Sequence, residues 1–310
     1  MESSLRVVFA GTPENAAFTL DRLCDAGVNV VGVLTRTDAR VGRNKQLQSS
    51  PVADAANRLG LPVHKANSID EQCMAWLRGL NADIGAVVAY GTIFRKDVLE
   101  IPRLGWLNLH YSLLPEFPGA APVQHALLLG KKITGVTVFR LDEGIDTGPI
   151  ISGSQLDIHD DDTAGTLLNR LSELGAELMV NVLLAGERRI EAATPQELDK
   201  GIQKASKPNR QLAKLDFNSS ATDLANKVRA MNPQPMAWFE LGGVPVRVIS
   251  AKPAQSTSGI HGEAMLVEGE LVVVCRDGAL ALEVVQPAGK REMSGSDWFR
   301  GLRAEKLELS

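Results

Sequence analysis

The stretch from residue 5 to residue 35 most narrows what this chain can fold into. LRVVFAG (5–11) is a short apolar run rich in β-branched residues, and a Thr12-Pro13 turn follows it. ENAAFTLDRLCDAG comes next, with Phe18, Leu20, Leu23 and Cys24 at roughly helical spacing and Gly27 as the stop. VNVVGVLT (28–35) returns to a strand pattern. Strand, helix and strand within about 30 residues form the βαβ unit of a parallel sheet. The alternation continues. Ser50-Pro51 opens a helix to Leu59, and residues 70–80 read as another. ADIGAVVAYG (82–91) is almost continuously apolar, as a strand buried on both faces is. WLNLHYS (106–112) is short and β-prone, APVQHALLLG is helical, and ITGVTVFRL (133–141) is a strand. From Thr163 to Gly186, Leu167, Leu171, Leu174, Leu178 and Val182 recur at helical spacing behind Asp162 or Thr163 as N-cap.

The pattern changes after residue 187. Residues 187–210 are polar and charged, carry Pro195 and Pro208, and read as a linker with some helix. A helix over 221–231 follows, then AWFEL, VPVRVIS, AMLVE, LVVVC and ALEVV, parted by Gly-Gly, Glu-Gly and Asp-Gly turn signals. Strands this short and close predict a small closed or half-closed antiparallel barrel. The expected organisation is an α/β domain over 1–187, a linker over 188–207 and a barrel domain over 208–310. A length of 310 residues agrees with two domains at roughly 150 residues each.

Lys and Arg total 33 against 37 Asp and Glu, a net charge of -4. A general basic coat for nucleic acid is therefore absent, and any polyanion must be met by a local patch. Cys24, Cys73 and Cys275 are odd in number and far apart. They fit neither a disulfide framework nor a zinc knuckle, so a reducing, cytoplasmic location is expected. The opening MESSLRVVFAG has too short an apolar run for a signal peptide and reads as a first strand. No stretch approaches the roughly 20 apolar residues of a membrane span.

Three segments could carry chemistry. The first turn, GTPENAAF, is not one of them: a dinucleotide fold wants G-x-G-x-x-G there, and only Gly11 is present, with Pro13 in the turn. In Asn108-Leu109-His110, strand alternation projects Asn108 and His110 together, beside Trp106. An amide donor and an imidazole at the C-terminal end of a strand suit an acyl oxygen gaining negative charge. An Asn and a His bonded to neighbouring backbone would give the same tripeptide. Asp142-Glu143-Gly144-Ile145-Asp146-Thr147-Gly148-Pro149 is an ordered loop straight after a strand. A carboxylate there can pair with an imidazole and hold its protonated form, raising the His pKa; a plain acidic turn is the alternative. His159-Asp160-Asp161-Asp162 reads as an N-cap cluster ahead of the long helix rather than a metal site. Lastly, Arg36, Asp38, Arg40, Arg43 and Lys45 crowd a long loop whose flexible cations suit phosphate, or simply face solvent.

Taken together, these residues resemble the methionyl-tRNA formyltransferases nearly end to end. GWLNLHYSLLP, GAAPVQHAL and GVTVFRLDEGIDTGPI match the core of that family. Ser50-Pro51-Val52, Ala89-Tyr90-Gly91, Asn232 to Trp238 and Gln286 to Lys290 match its tRNA-specific branch. The resemblance implies a Rossmann-like N-terminal domain followed by an OB-like barrel that contributes to tRNA binding. It implies transfer of a formyl group from 10-formyltetrahydrofolate, a consumed co-substrate, to the amino group of methionine on initiator tRNA, with no metal and no obligate protein partner. By motif match, Asn108, His110 and Asp146 are the catalytic set. Ser112, Leu113, Leu114 and Pro115 match the folate-binding stretch, and Arg43 and Lys45 the tRNA-binding loop. Pro118 stands where the family usually has Arg, and the basic loop lacks one Gly and one Lys of the family pattern.

The implied mechanism has a neutral amine attacking the formyl carbon, with Asn108 and protonated His110 donating to the oxygen and Asp146 sustaining the imidazolium. The rivals are an amino-sugar nucleotide formyltransferase, an RNA-binding module built on the barrel, and a hydrolase releasing formate. The first would share the catalytic triplet without the basic loop and barrel together. The second has no reason to hold Asn108, His110 and Asp146 together.

Overall fold

A computed structural model describes residues 4–42, 45–197, 203–255 and 258–310. In chain order it begins with β1 (Val7–Gly11), α1 (Glu14–Asp25), β2 (Val30–Thr35), β3 (Ala39–Val41), β4 (Gln46–Gln48), α2 (Pro51–Arg58), β5 (Val63–Lys65) and α3 (Glu71–Gly79). There follow β6 (Ile84–Val88), α4 (Lys96–Leu99), β7 (Trp106–His110), α5 (Pro122–Leu128), β8 (Ile133–Arg140), β9 (Ile150–Asp157), α6 (Ala164–Leu184) and α7 (Glu187–Glu191). The last part holds α8 (Ala221–Met231), β10 (Ala237–Leu241), β11 (Val244–Ala254), β12 (Glu263–Val267), β13 (Glu270–Val274), β14 (Ala279–Pro287), β15 (Met293–Ser294), α9 (Gly295–Gly301) and β16 (Leu307–Glu308).

Two compact units result. The first takes residues 1–119, 133–157 and 168–204, and the second 120–132, 158–167 and 205–310. In the first, one sheet has the strand order β5-β2-β1-β6-β7-β8-β9. The five strands from β5 to β7 are parallel, and β8 and β9 turn antiparallel. The expected α/β sheet is thus present with a mixed edge. IISGSQLD (150–157), which the apolar pattern did not mark, is its last strand. Its burial alternates like that of a half-covered edge, so continuous apolarity could not signal it. Strand order reverses between β1 and β6, which is where an open α/β sheet leaves a crevice beyond the strand ends.

The helices begin where their caps dictate. Ser50 accepts from Ala53 N–H with Pro51 at the first helical position, and Asp70 accepts from Cys73 N–H; such caps contribute about 1 kcal/mol each. Gly11 closes β1 because α1 lies against it: a Cβ there would stand 2.7 Å from Ala16 Cβ and 2.9 Å from the Val88 carbonyl oxygen. On one face of the sheet Trp106, Phe94, Tyr90, Met74 and Leu77 form a continuous apolar cluster. Fully burying side chains of this kind stabilises by roughly 1.5–3 kcal/mol apiece.

The second unit has an antiparallel sheet in the order β10-β11-β14-β13-β12-β16, with β15 on β14. The pairing register shifts around Val248 and Ser250 in the long β11, where an extra residue bends a strand. The ends of the sheet meet: Glu240 on β10 and Ser310 exchange backbone hydrogen bonds of 2.5 and 3.0 Å. The expected small barrel is therefore a curled sheet that closes on itself, filled by Phe239 with Phe217 and Trp298 edge-on to its ring. In the same unit Thr163 and Thr166 cap α6 reciprocally, each hydroxyl accepting the other's backbone N–H. Asp162 accepts from His159 N–H and from the Thr166 hydroxyl, so that acidic run is used in capping.

Candidate active site

Asn108 and His110 come from β7 and face the same way along it. Asn108 lies beside Val87 of β6 and opposite Phe139 of β8, and His110 lies opposite Thr137. The alternate residues serve packing: Leu109 touches Gly175 on α6, and the Tyr111 hydroxyl accepts from the Asn15 amide at 2.8 Å. Half-buried Asn108 and buried His110 are thus the polar pair on an otherwise apolar strand.

Asp146 arrives from the connection between β8 and β9. Its Oδ2 stands 3.7 Å from His110 Nδ1 and accepts the Gly119 backbone N–H at 2.7 Å. Asp146 holds a φ of 55°, a left-handed conformation that side chains rarely adopt, and this aims its carboxylate at the imidazole. The loop is packed tightly on β8: a Cβ on Gly148 would fall 1.8 Å from the Arg140 carbonyl oxygen. The other ring nitrogen of His110, Nε2, is 2.9 Å from the Phe117 carbonyl oxygen. A carbonyl only accepts, so that nitrogen carries the proton in the neutral ring.

Burial pushes the His110 pKa below its ordinary value of 6.5, against the smaller upward pull of the Asp146 carboxylate and the Phe117 carbonyl. This corrects the expectation that the carboxylate raises it overall. At 3.7 Å, with Oδ2 already bonded to Gly119, the attraction does not offset the loss of water around a charged ring.

Ser112 to Pro115 follow β7 directly. The Ser112 hydroxyl donates to the Glu116 carbonyl at 2.5 Å, and its own carbonyl accepts from the Thr137 hydroxyl at 2.7 Å. Leu114 N–H donates to that same hydroxyl at 3.1 Å. Ser112 and Leu114 are buried, while Leu113 and Pro115 are half-buried, so the stretch offers an apolar flank next to His110. An apolar flank beside a polar pair suits a flat heteroaromatic group such as a pterin.

The basic segment is not the unstructured loop its composition suggested. β3 and β4 make a hairpin, with Arg40 opposite Leu47. Arg36 is engaged with backbone, its Nε donating to the Tyr90 carbonyl at 3.2 Å and an Nη donating to the Gly91 carbonyl. Asp38 pairs with Lys65 at 2.5 Å. Lys45 is exposed at the hairpin turn with a φ of 48°, and Arg43 lies outside the described residues. Sequence reasoning did not single out the Gly119 amide, the Phe117 carbonyl or Gln196. Backbone groups leave no trace in residue type, and Gln196 stands in a segment without periodicity.

The formyl transferase family matches residues 5–183, and the formyl transferase C-terminal domain matches residues 208–303. A methionyl-tRNA formyltransferase of Alcanivorax borkumensis is 43% identical over 303 residues, which is 96% of this chain and 91% of that one.

The chain belongs to the methionyl-tRNA formyltransferase family.

A second member, from Acidothermus cellulolyticus, is 41% identical over 96% of this chain and 98% of its own length. The fold is also that of an N-formyltransferase from Helicobacter canadensis solved with folinic acid and dTDP-3-aminofucose. That likeness has a TM-score of 0.64 at 19% identity, over 91% of this chain and 99% of the other. The likeness covers nearly the whole of both chains, so it extends past the α/β part of the fold.

Proposed function

We propose that this formyltransferase moves the formyl group of 10-formyltetrahydrofolate onto the amino group of methionyl initiator tRNA, in the cytoplasm. The observation that carries the reading is the meeting of His110 and Asp146 at 3.7 Å beside Asn108, in a chain 43% identical to a methionyl-tRNA formyltransferase. Folate is the donor we assign, since the Helicobacter canadensis enzyme of the same fold was solved with folinic acid, and half-buried Leu113 and Pro115, which follow β7 in the chain, are the residues we expect beside it. We assign the tRNA contact to Arg43 and Lys45 and to the domain over 208–310, which follows the catalytic domain over 1–187 and the linker 188–207.

The attacking amine is neutral. Its nitrogen bonds to the formyl carbon, the carbonyl oxygen becomes negative, and the Asn108 amide donates to it, joined by His110 once its Nδ1 has gained a proton. Because burial keeps the imidazole uncharged at rest, it is able to take the proton that the amine sheds. Asp146 then stabilises the imidazolium that forms. Return of that proton to the departing folate nitrogen completes the cleavage and leaves tetrahydrofolate and the N-formyl product.

The test supplies 10-formyltetrahydrofolate with charged initiator tRNA in one reaction and a dTDP-aminosugar in another. Formyl-methionine in the first alone is the expected result. Formylation of the sugar in place of tRNA would overturn the acceptor assignment.

A further inference from the structure

Asp146 does not hold its position unaided. From the segment after α7, Thr194 pairs with Ile150 at the start of β9 through two backbone hydrogen bonds of 2.7 and 2.8 Å. Two residues on, the Gln196 side-chain amide donates to the Asp146 carbonyl at 2.9 Å and to the Gly148 carbonyl at 2.7 Å. Both protons of one amide nitrogen are thus spent on the backbone of the turn that carries the carboxylate. The other end of the same side chain, Oε1, is buried and has no hydrogen-bond partner among the described residues. Leaving a buried acceptor unmade costs stability, so the arrangement serves the turn rather than the glutamine. The turn needs it: Asp146 sits at a φ of 55°, and its carboxylate must meet both Gly119 N–H and His110.

We propose that Gln196 is a positioning residue for the formyl transfer, clamping the backbone of the Asp146 turn so that the carboxylate faces His110. This rests on the catalytic reading of Asp146 given above. Residues 194–196 thereby act as a strap laid across the β8–β9 turn rather than as plain linker.

Gln196→Ala removes both donors. Turnover should fall about tenfold to a hundredfold, the scale of a misplaced catalytic group, with little change in the KM for folate or tRNA. The His110 pKa, followed by imidazole nitrogen NMR, should drop toward its value in Asp146→Asn, a shift that a loss of folding stability would not produce. Gln196→Glu keeps the shape but sets a carboxylate against two carbonyls at neutral pH. When protonated it donates one hydrogen bond, so its rate relative to Gln196→Ala should rise as pH is lowered. If Asp146→Asn is slow while Gln196→Ala keeps wild-type turnover and His110 pKa, the clamp is overturned and the catalytic reading stands. If Asp146→Asn turns over like wild type, both fall.

Discussion

His110 Nδ1 and Asp146 Oδ2 stand 3.7 Å apart, one on the last residue of β7 and the other on the turn between β8 and β9. The pair is held from outside itself. Phe117 fixes the far ring nitrogen and Gly119 the carboxylate oxygen. Both supports come from the segment that follows β7, so one loop sets the orientation of the ring and of its partner. An arrangement so enclosed can change its charge during a reaction without rebuilding its hydrogen bonds, which is what preorganised stabilisation requires.

The first prediction concerns this group. Asn108→Ala, His110→Ala and Asp146→Ala should each lower turnover by about a hundredfold or more, the scale of losing a donor to a developing oxyanion. Dissociation constants for the formylated folate, measured by titration, should change far less. Any of the three that keeps near-wild-type turnover has no part in the chemistry.

A second prediction follows from the depressed pKa of His110. In the mechanism proposed above the neutral ring is the working form, so turnover should fall as pH drops through a pKa below 6.5. Asp146 pulls that pKa upward. Removing its charge in Asp146→Asn should therefore move the acid limb to lower pH, on top of the loss in rate. The folded protein binds fewer protons here than the unfolded chain, whose histidine has a pKa of about 6.5. Stability should then decline as pH falls below that value, and His110→Gln should flatten the decline in denaturant titrations. An acid limb that moves upward in Asp146→Asn would reverse the assigned electrostatics.

Much of this was legible in the sequence because strands announce themselves by period. The alternation in WLNLH places Asn108 and His110 on one face whatever else the chain does, and the β-to-α rhythm of residues 5–91 dictates a parallel sheet. What escaped was of three kinds. β9 is half-exposed, with small and polar residues at its outward positions, so no apolar run marks it. The supports of the site are backbone groups and one glutamine, Gln196, reached only by tertiary packing. The sign of the His110 shift was also beyond the sequence, because it turns on how completely the ring is buried, and only the packed structure fixes that.

The barrel offers a stability prediction. Leu309 is buried, and its backbone N–H donates to the Gly262 carbonyl next to the Glu240–Ser310 closure. Leu309→Ala should cost about 2–5 kcal/mol, the range for truncating a buried leucine. Denaturant unfolding read by Trp238 or Trp298 fluorescence would report it. A change within about 0.5 kcal/mol, the scale of an ordinary surface substitution, would mean that the closing contacts contribute little.

The last prediction separates the two kinds of cation in the basic segment. Arg36 spends its guanidinium on the carbonyls of Tyr90 and Gly91, at the end of β6. Lys45 is exposed at the β3–β4 turn, and Arg43 is its near neighbour in sequence. An acidic chain that receives tRNA must gather positive charge locally, so Lys45 and Arg43 are the cations we expect to contact phosphate. Lys45→Gln and Arg43→Gln should each raise the KM for tRNA and make binding less steeply dependent on salt, by about one unit of slope at most. Folate affinity should stay put. Arg36→Ala should do the opposite: it leaves two carbonyls without their donor, so it should lower thermal stability while the salt slope keeps its wild-type value. Binding measured across a salt series for all three variants decides the matter. A reduced slope in Arg36→Ala, with unchanged slopes in the other two, would place the phosphate contact at the base of the hairpin and leave its tip facing solvent.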